Sequence, residues 1–148
     1  MLTGAKSGEK VTLSHAVLSL TIGSPLGVHS RPAAQICRAC LNGAAEVNIL
    51  APELVTHEGR VLGRSNDNFQ VVNGKSMMGL LYLALARDTT CYLWVKGAEP
   101  DVARAIEFLC SALATFDDHQ NIVVVLAQDQ IPPAIQRIVA AEQPAGDQ

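Results

Sequence analysis

Apolar and polar residues alternate along residues 14–22, and this alternation predicts a half-buried β-strand. Most of the apolar side chains lie on one face: Ala16, Leu18, Leu20 and Ile22. Val17 is an exception, because it is apolar but lies on the other face. Gly23-Ser24-Pro25 ends the strand. A helix is predicted at residues 32–41. Pro32 suits its first turn, because the N–H that proline lacks would have no partner within the helix there. Asn42-Gly43 ends the helix.

The remaining pattern predicts strands and helices that are mixed rather than strictly alternating. Strands are expected at residues 46–50, 69–72 and 90–95, and helices at residues 76–87 and 99–116. Residues 52–68 are polar and contain two glycines, which indicates an inserted loop or hairpin. The pattern beyond residue 116 is typical of a strand at 122–126 and a helix at 132–141. This order indicates an α+β open-faced sandwich, in which helices cover one face of an antiparallel sheet.

Composition and charge narrow the class of protein. The 148 residues are 49% apolar and 17% charged, which fits one folded domain with appendages rather than a disordered chain. The net charge of −3, from 11 basic and 14 acidic residues, argues against binding to nucleic acid, which needs clustered lysine and arginine. Residues 11–30 lack charged side chains but hold too many polar residues for a membrane-spanning helix. Four cysteines are too few for a disulfide scaffold, so the cytoplasm is the expected location.

Residues 27–34, with the sequence GVHSRPAA, carry the clearest chemistry. His29 stands just before a helix, whose first amides lack internal partners and whose dipole favours an anion. Arg31 adds a guanidinium suited to phosphate oxygens. Because neutral imidazole is abundant at neutral pH and is nucleophilic, these residues predict a site where a phosphoryl group binds to His29 and leaves again. The alternative for His29 is a surface histidine or a simple neighbour of the helix N-cap.

A second informative segment is residues 73–81, with the sequence NGKSMMGLL. Ser76 is a good N-cap residue for the helix that follows. The same hydroxyl is a candidate for regulatory phosphorylation, which would add roughly two negative charges to the surrounding surface. Met77 and Met78 are either core residues or, if exposed, an adaptable apolar docking patch.

The two segments together resemble the bacterial HPr family, the histidine phosphocarriers of the sugar phosphotransferase system. Residues 27–34 look like that family's active-site signature, and residues 73–81 look like its regulatory-serine signature. The resemblance covers residues 14–116, with an insert at 52–68, and leaves an N-terminal tail at 1–13 and a C-terminal extension at 117–148. It implies an HPr-like open-faced β-sandwich, a four-stranded antiparallel sheet with three helices on one face.

The resemblance also implies a phosphoryl relay. His29 would accept a phosphoryl group on its Nδ1 from a phosphoenolpyruvate-dependent donor of the enzyme I type, and would pass it to a sugar-specific enzyme II A component. Arg31 would stabilise the phosphoryl group, together with the backbone amides of Ser30 and Arg31. Ser76 would be the substrate of an HPr serine kinase/phosphorylase. Partners would dock on an apolar patch of three residues: Met77, Met78 and Leu81.

The implied protein is a phosphoryl carrier rather than a stand-alone enzyme, and it requires no cofactor and no metal. Its partners are other proteins, and neither nucleic acid nor membrane insertion is expected. An alternative with the same fold is a regulatory binding module, which phosphorylation of Ser76 would switch and which would not take part in sugar transport.

The cysteines and the remaining histidines give weaker signals. Cys37 and Cys40 have the spacing of a thiol or metal pair on one helix face, but the sequence offers no second ligand pair. Buried core residues are the better interpretation of the cysteines, Cys91 and Cys110 included, and a thiol module is the weaker one. Several polar residues are expected on the surface or on strand faces: His15, His57, His119, Asp117 and Asp118.

Overall fold

The structure is a computed structural model that describes residues 11–142. This part of the chain forms β1 (Leu13–Thr21), α1 (Ser30–Leu41), β2 (Glu46–His57), β3 (Arg60–Asn73), α2 (Met77–Tyr82), β4 (Thr90–Ala98), α3 (Glu99–Ala112), β5 (Thr115–Phe116), β6 (His119–Gln120), β7 (Ile122–Val125), a short 3-10 helix (Gln128–Gln130) and α4 (Pro133–Ala141). The N-terminal tail predicted for residues 1–13 lies outside the described residues except for its last three, and Leu13 already belongs to β1.

Five antiparallel strands form the main sheet, in the order β3-β2-β4-β1-β7. β1 pairs with β4 along its whole length, and Leu18 lies opposite Leu93. One face of the sheet packs against α1, α2 and α3, which contribute Ile36, Leu80 and Leu109 to a buried cluster with these two leucines. The alternation along β1 therefore predicted the correct inward face, and the predicted α+β class with an antiparallel sheet is confirmed.

The second face of the sheet is also covered, so the sandwich is not open-faced. Val17, Leu50 and Trp94 of the sheet form a separate buried cluster with Ile135 and Val139 of α4. The strand and helix predicted at 122–126 and 132–141 are present as β7 and α4. The three helices expected on one face are present, but the expected total of four strands and three helices is wrong: β7 adds a fifth strand at the sheet edge, and α4 covers the second face, which carries apolar side chains of its own.

Residues 52–68, predicted as a loop or hairpin, belong to a long β-hairpin. β2 and β3 pair as far as His57 and Arg60, and Glu58 and Gly59 form the turn with φ angles of 51° and 79°. Positive φ at both central residues is what the tight hairpin turn requires. β3 is much longer than the predicted strand at 69–72. The pattern did not predict its full length, because most of its residues are exposed and show no apolar alternation.

Two helices end earlier than predicted. α2 ends at Tyr82 rather than at residue 87, and Ala84, two residues later, adopts a left-handed φ of 52°. α3 ends at Ala112 rather than at residue 116, and its last carbonyl oxygen accepts a hydrogen bond from the side chain of Gln35 on α1 (2.8 Å). Within residues 11–142, each helix falls short of the length and apolarity that a membrane crossing requires.

Candidate functional site

The loop between β1 and α1 presents His29, and backbone contacts hold this loop in place. The amide of Val28 donates a hydrogen bond to the carbonyl oxygen of Leu85 (2.7 Å). Gly27 has a φ of +67°, and a Cβ at this position would overlap the same oxygen. Gly23 is restricted for a similar reason, because its Cβ would overlap a backbone oxygen of β6. The loop therefore requires glycine at both positions to approach its neighbours this closely.

His29 is the N-cap residue of α1, and its carbonyl oxygen accepts a hydrogen bond from the amide of Ala33 (2.9 Å). Its backbone is extended, so the imidazole stands at the first turn and not inside the helix. The residue is half-buried, and its Nε2 is shielded from solvent without a hydrogen-bond partner among residues 11–142. Because Nε2 is closed off in this way, Nδ1 is the ring nitrogen that remains as the candidate for an incoming group.

The start of α1 supplies hydrogen-bond donors beside His29. The amides of Ser30 and Arg31 are the first two of the helix and have no acceptor within it, and the third residue, Pro32, has no N–H. The first turn of α1 contains no acidic residue, so the positive end of the helix dipole is not neutralised from within that turn. An anion carried by the neighbouring imidazole would be stabilised by both amides.

Arg31 pairs with an acidic residue that the sequence did not assign to this site. Its Nη1 lies 3.0 Å from Oδ1 of Asp117, which belongs to the turn between β5 and β6. Asp117 is exposed, as expected, but its ion pair with Arg31 was not predicted, because 86 positions separate the two residues and no local pattern indicates the pair. The Arg31 side chain is 75% exposed. Because exposed ion pairs contribute only ~0–1 kcal/mol, the guanidinium remains available to another anion.

Ser76 is the N-cap residue of α2, as the sequence predicts. Its Oγ accepts a hydrogen bond from the amide of Gly79 (2.9 Å), and the Asn73 side chain accepts one from the amide of Lys75 (2.8 Å). These bonds hold the turn that leads into α2. Because α2 packs against α1, the two sequence motifs lie on neighbouring helices.

The exposed side of α2 differs in part from the predicted docking patch. Met78 and Leu81 are exposed, at 77% and 39% respectively. Met77 instead packs half-buried against the main core, so it is a core residue and not part of an exposed patch. Two exposed apolar residues were not predicted: Tyr82 at the end of α2 (72%) and Leu26 in the loop before His29 (79%). Their sequence signal was weak, because single apolar residues in a loop or at a helix end are common on surfaces.

The four cysteines pack in or against the core of the fold, as the interpretation of them as core residues predicts. Cys37, Cys40 and Cys91 are buried, and Cys110 is half-buried. Burial raises the pKa of the Cys40 thiol to about 12 and the pKa of the Cys91 thiol to about 12. Neither thiol therefore supplies the thiolate that redox or metal chemistry needs at neutral pH. Among residues 11–142, no three side chains of His, Cys, Asp or Glu are grouped so that they could hold a metal ion.

The solved structures that are similar to this chain include three phosphocarrier proteins. Phosphocarrier protein HPr from Bacillus anthracis str. Ames has 22% identity and a TM-score of 0.46, with 68% of this chain and 95% of that chain covered. HPr-C-His from Thermoanaerobacter tengcongensis has 18% identity and a TM-score of 0.45, with 64% and 86% covered. A histidine-containing phosphocarrier protein of Mycoplasma has 18% identity and a TM-score of 0.40, with 69% and 97% covered.

A family model provides the assignment. No curated protein matches the chain. The model of the PTS HPr component phosphorylation site, in contrast, matches residues 18–115. This span runs from β1 to β5 and includes both the loop with His29 and the cap of α2 at Ser76. Because the match covers well over half of the chain, the protein belongs to the PTS HPr family of phosphocarriers.

Proposed function

We propose that this chain relays a phosphoryl group through a phosphohistidine at His29 in the phosphoenolpyruvate-dependent sugar phosphotransferase system. The observation that supports this function most strongly is the environment of the imidazole. Its Nε2 is shielded, and the N-terminus of α1 and the exposed Arg31 lie beside it. This arrangement leaves Nδ1 as the reactive nitrogen and supplies donors for the charge on a bound phosphoryl group.

Transfer to His29 needs positioning and charge stabilisation rather than additional covalent machinery. The lone pair of Nδ1 attacks the phosphorus atom of the donor, and an N–P bond forms while the bond from phosphorus to the donor's leaving atom breaks with its electron pair. The proton on Nε2 stays on the ring throughout. The amides of Ser30 and Arg31 and the Arg31 guanidinium stabilise the phosphoryl oxygens. Transfer to the acceptor breaks the N–P bond and restores the neutral imidazole.

Both partners of such a relay would use the face around His29. These partners are a donor of the enzyme I type and a sugar-specific enzyme II A component, and both meet the chain in the cytoplasm. The exposed apolar side chains near this face suit protein docking. They lie on α2 and on the loop before His29: Leu26, Met78, Leu81 and Tyr82.

Incubation with phosphoenolpyruvate and a donor enzyme, followed by intact-mass spectrometry, tests this function. We expect the chain to gain the mass of one phosphoryl group and to lose it on acid treatment, because the N–P bond of phosphohistidine is labile to acid. Omission of the donor enzyme is the control and should leave the mass unchanged. An acid-stable gain, or no gain with an active donor enzyme, would contradict the proposal.

Ser76 is the proposed site at which an HPr serine kinase/phosphorylase regulates this relay. Its hydroxyl belongs to the cap of α2, next to the exposed Met78. A phosphate at a helix N-terminus is tolerated by the helix itself. It would nevertheless place two negative charges beside the surface on which partners dock. In the unmodified protein Ser76 already has a structural role as the cap of α2. We therefore propose the relay as the primary function and the modification of Ser76 as an adjustment of it.

Ser76→Asp is expected to weaken docking without weakening the fold. Aspartate caps a helix about as well as serine, so the free energy of unfolding should change little, whereas the added charge should raise the KM of the donor enzyme for the chain. Ser76→Ala is the matched variant: it should lose about 1 kcal/mol of stability with the cap but keep the KM. Urea unfolding and phosphorylation kinetics measure the two effects. An unchanged KM for Ser76→Asp would contradict the proposed regulatory role of Ser76.

A further inference from the structure

We propose that Arg64, on the hairpin that the sequence shows as an insert, is a positioning residue for the phosphoryl-transfer site. Arg64 braces residues 83 and 84, and the next residue, Leu85, holds the loop before His29. This inference rests on the proposed function of His29. It assigns a role to a hairpin that otherwise looks like an appendage of the sheet.

The guanidinium of Arg64 joins the hairpin to the end of α2. Its Nη1 donates to the carbonyl oxygen of Pro52 on β2 (2.9 Å). Its Nη2 donates to the carbonyl oxygens of Ala84 (2.5 Å) and Leu83 (3.3 Å). Partial burial lowers the pKa of Arg64 from its ordinary value through desolvation, but arginine stays charged in proteins. A charged, forked donor thus links three carbonyl oxygens from two parts of the chain.

The end of α2 is a place that needs such a brace. α2 has six residues, and a helix this short is not stable by itself. The carbonyl oxygens of Leu83 and Ala84 follow directly after α2, at the negative end of its dipole, so a nearby cation is favourable there. Ala84 has a left-handed φ of 52°, a conformation that glycine adopts more readily than alanine. Arg64 binds the carbonyl oxygen of this same residue.

The braced segment also determines the position of the loop that carries His29. The carbonyl oxygen of Leu85, next to Ala84, accepts the hydrogen bond from the amide of Val28. The contacts therefore run from Arg64 through residues 84 and 85 to Val28 and on to His29. A displacement of about 1 Å at a reacting group can cost a transfer reaction orders of magnitude in rate. A brace two contacts away is therefore expected to affect the rate of transfer.

Arg64→Met tests this role, with Arg60→Met as the matched control on the same hairpin. Arg60 is exposed at the start of β3. For Arg64→Met we expect kcat/KM for phosphorylation by the donor enzyme to fall about tenfold, and the Val28 amide to exchange its hydrogen about tenfold faster, as the loss of a charge-assisted hydrogen bond implies. Arg60→Met should leave both quantities unchanged. Arg64→Lys, which keeps the charge and loses the fork, should restore part of each.

The exchange measurement separates positioning from a general loss of stability. If Arg64 acted only on overall stability, the amide of Leu109 in α3 would accelerate as much as that of Val28; we expect Leu109 to change less. Equal kcat/KM and equal Val28 exchange in Arg64→Met and the unmodified chain would overturn the proposal. If the unmodified chain accepts no phosphoryl group, the function proposed for His29 fails, and the positioning role fails with it. If Arg64→Met does not fold, Arg64→Lys decides by the same two measurements.

Discussion

His29→Ala is expected to abolish phosphorylation of the chain, whereas His57→Ala is expected to leave it intact. The imidazole at position 29 is the proposed nucleophile, and alanine offers no lone pair in its place. His57 lies at the end of β2 beside the hairpin turn, with an exposed side chain. Intact-mass spectrometry at neutral pH, after incubation with phosphoenolpyruvate and the donor enzyme, gives the phosphoryl content of each variant.

The same experiment identifies the alternative sites. His29 caps α1 through its backbone and its side chain makes no cap hydrogen bond, so the variant should unfold at a urea concentration close to that of the unmodified chain. An acid-labile phosphoryl group that persists in folded His29→Ala would move the reactive residue to another histidine. An acid-stable group would instead indicate a hydroxyl such as that of Ser76.

Ile135→Ala is expected to destabilise the protein by about 2–5 kcal/mol, the usual cost of removing a large buried aliphatic side chain. Ile135 is 0% exposed and belongs to the cluster between α4 and the second face of the sheet. Ile122→Ala, on β7, is the matched control, because this isoleucine is 63% exposed and its loss should cost less than about 1 kcal/mol.

The fluorescence of Trp94 reports directly on unfolding of the cluster that contains Ile135. Trp94 is the only tryptophan in the chain, it is 1% exposed, and it belongs to the same cluster as Ile135. Urea unfolding followed by its fluorescence therefore yields the free energy of unfolding of both variants. If Ile135→Ala proved no more destabilising than Ile122→Ala, the residues after 116 would not form part of the core, and α4 would be an appendage rather than a cover.

The sequence predicted the side of the sheet that faces α1–α3 but not the covered second face. The alternation in β1 identified Leu18 as inward-facing, and the structure confirms this. Val17 stood out only as an exception to the alternation, and one apolar residue on the polar face does not predict a covering helix. The helix at 133–141 was predicted as an element, but its partner on the sheet depends on long-range packing that no local pattern encodes.

The candidate site likewise contains residues that the sequence pointed to and residues that it did not. His29 and Ser76 were accessible to prediction because each stands at a helix start with a recognisable cap position. Asp117 and Arg64 were not, since each acts through a contact with a distant part of the chain. The Met77-Met78 pair was left open between core and docking patch, and the structure packs Met77 against the core and leaves Met78 exposed.

Nuclear magnetic resonance on the phosphorylated chain, with histidine labelled with 15N, tests most directly whether Nδ1 of His29 carries the phosphoryl group. The two ring nitrogens give separate signals, and their couplings to the ring protons and to phosphorus show which one is bonded. Since Nε2 is shielded, we predict that the N–P bond involves Nδ1 of His29. A phosphoryl group on Nε2, or on any other residue, would contradict the account.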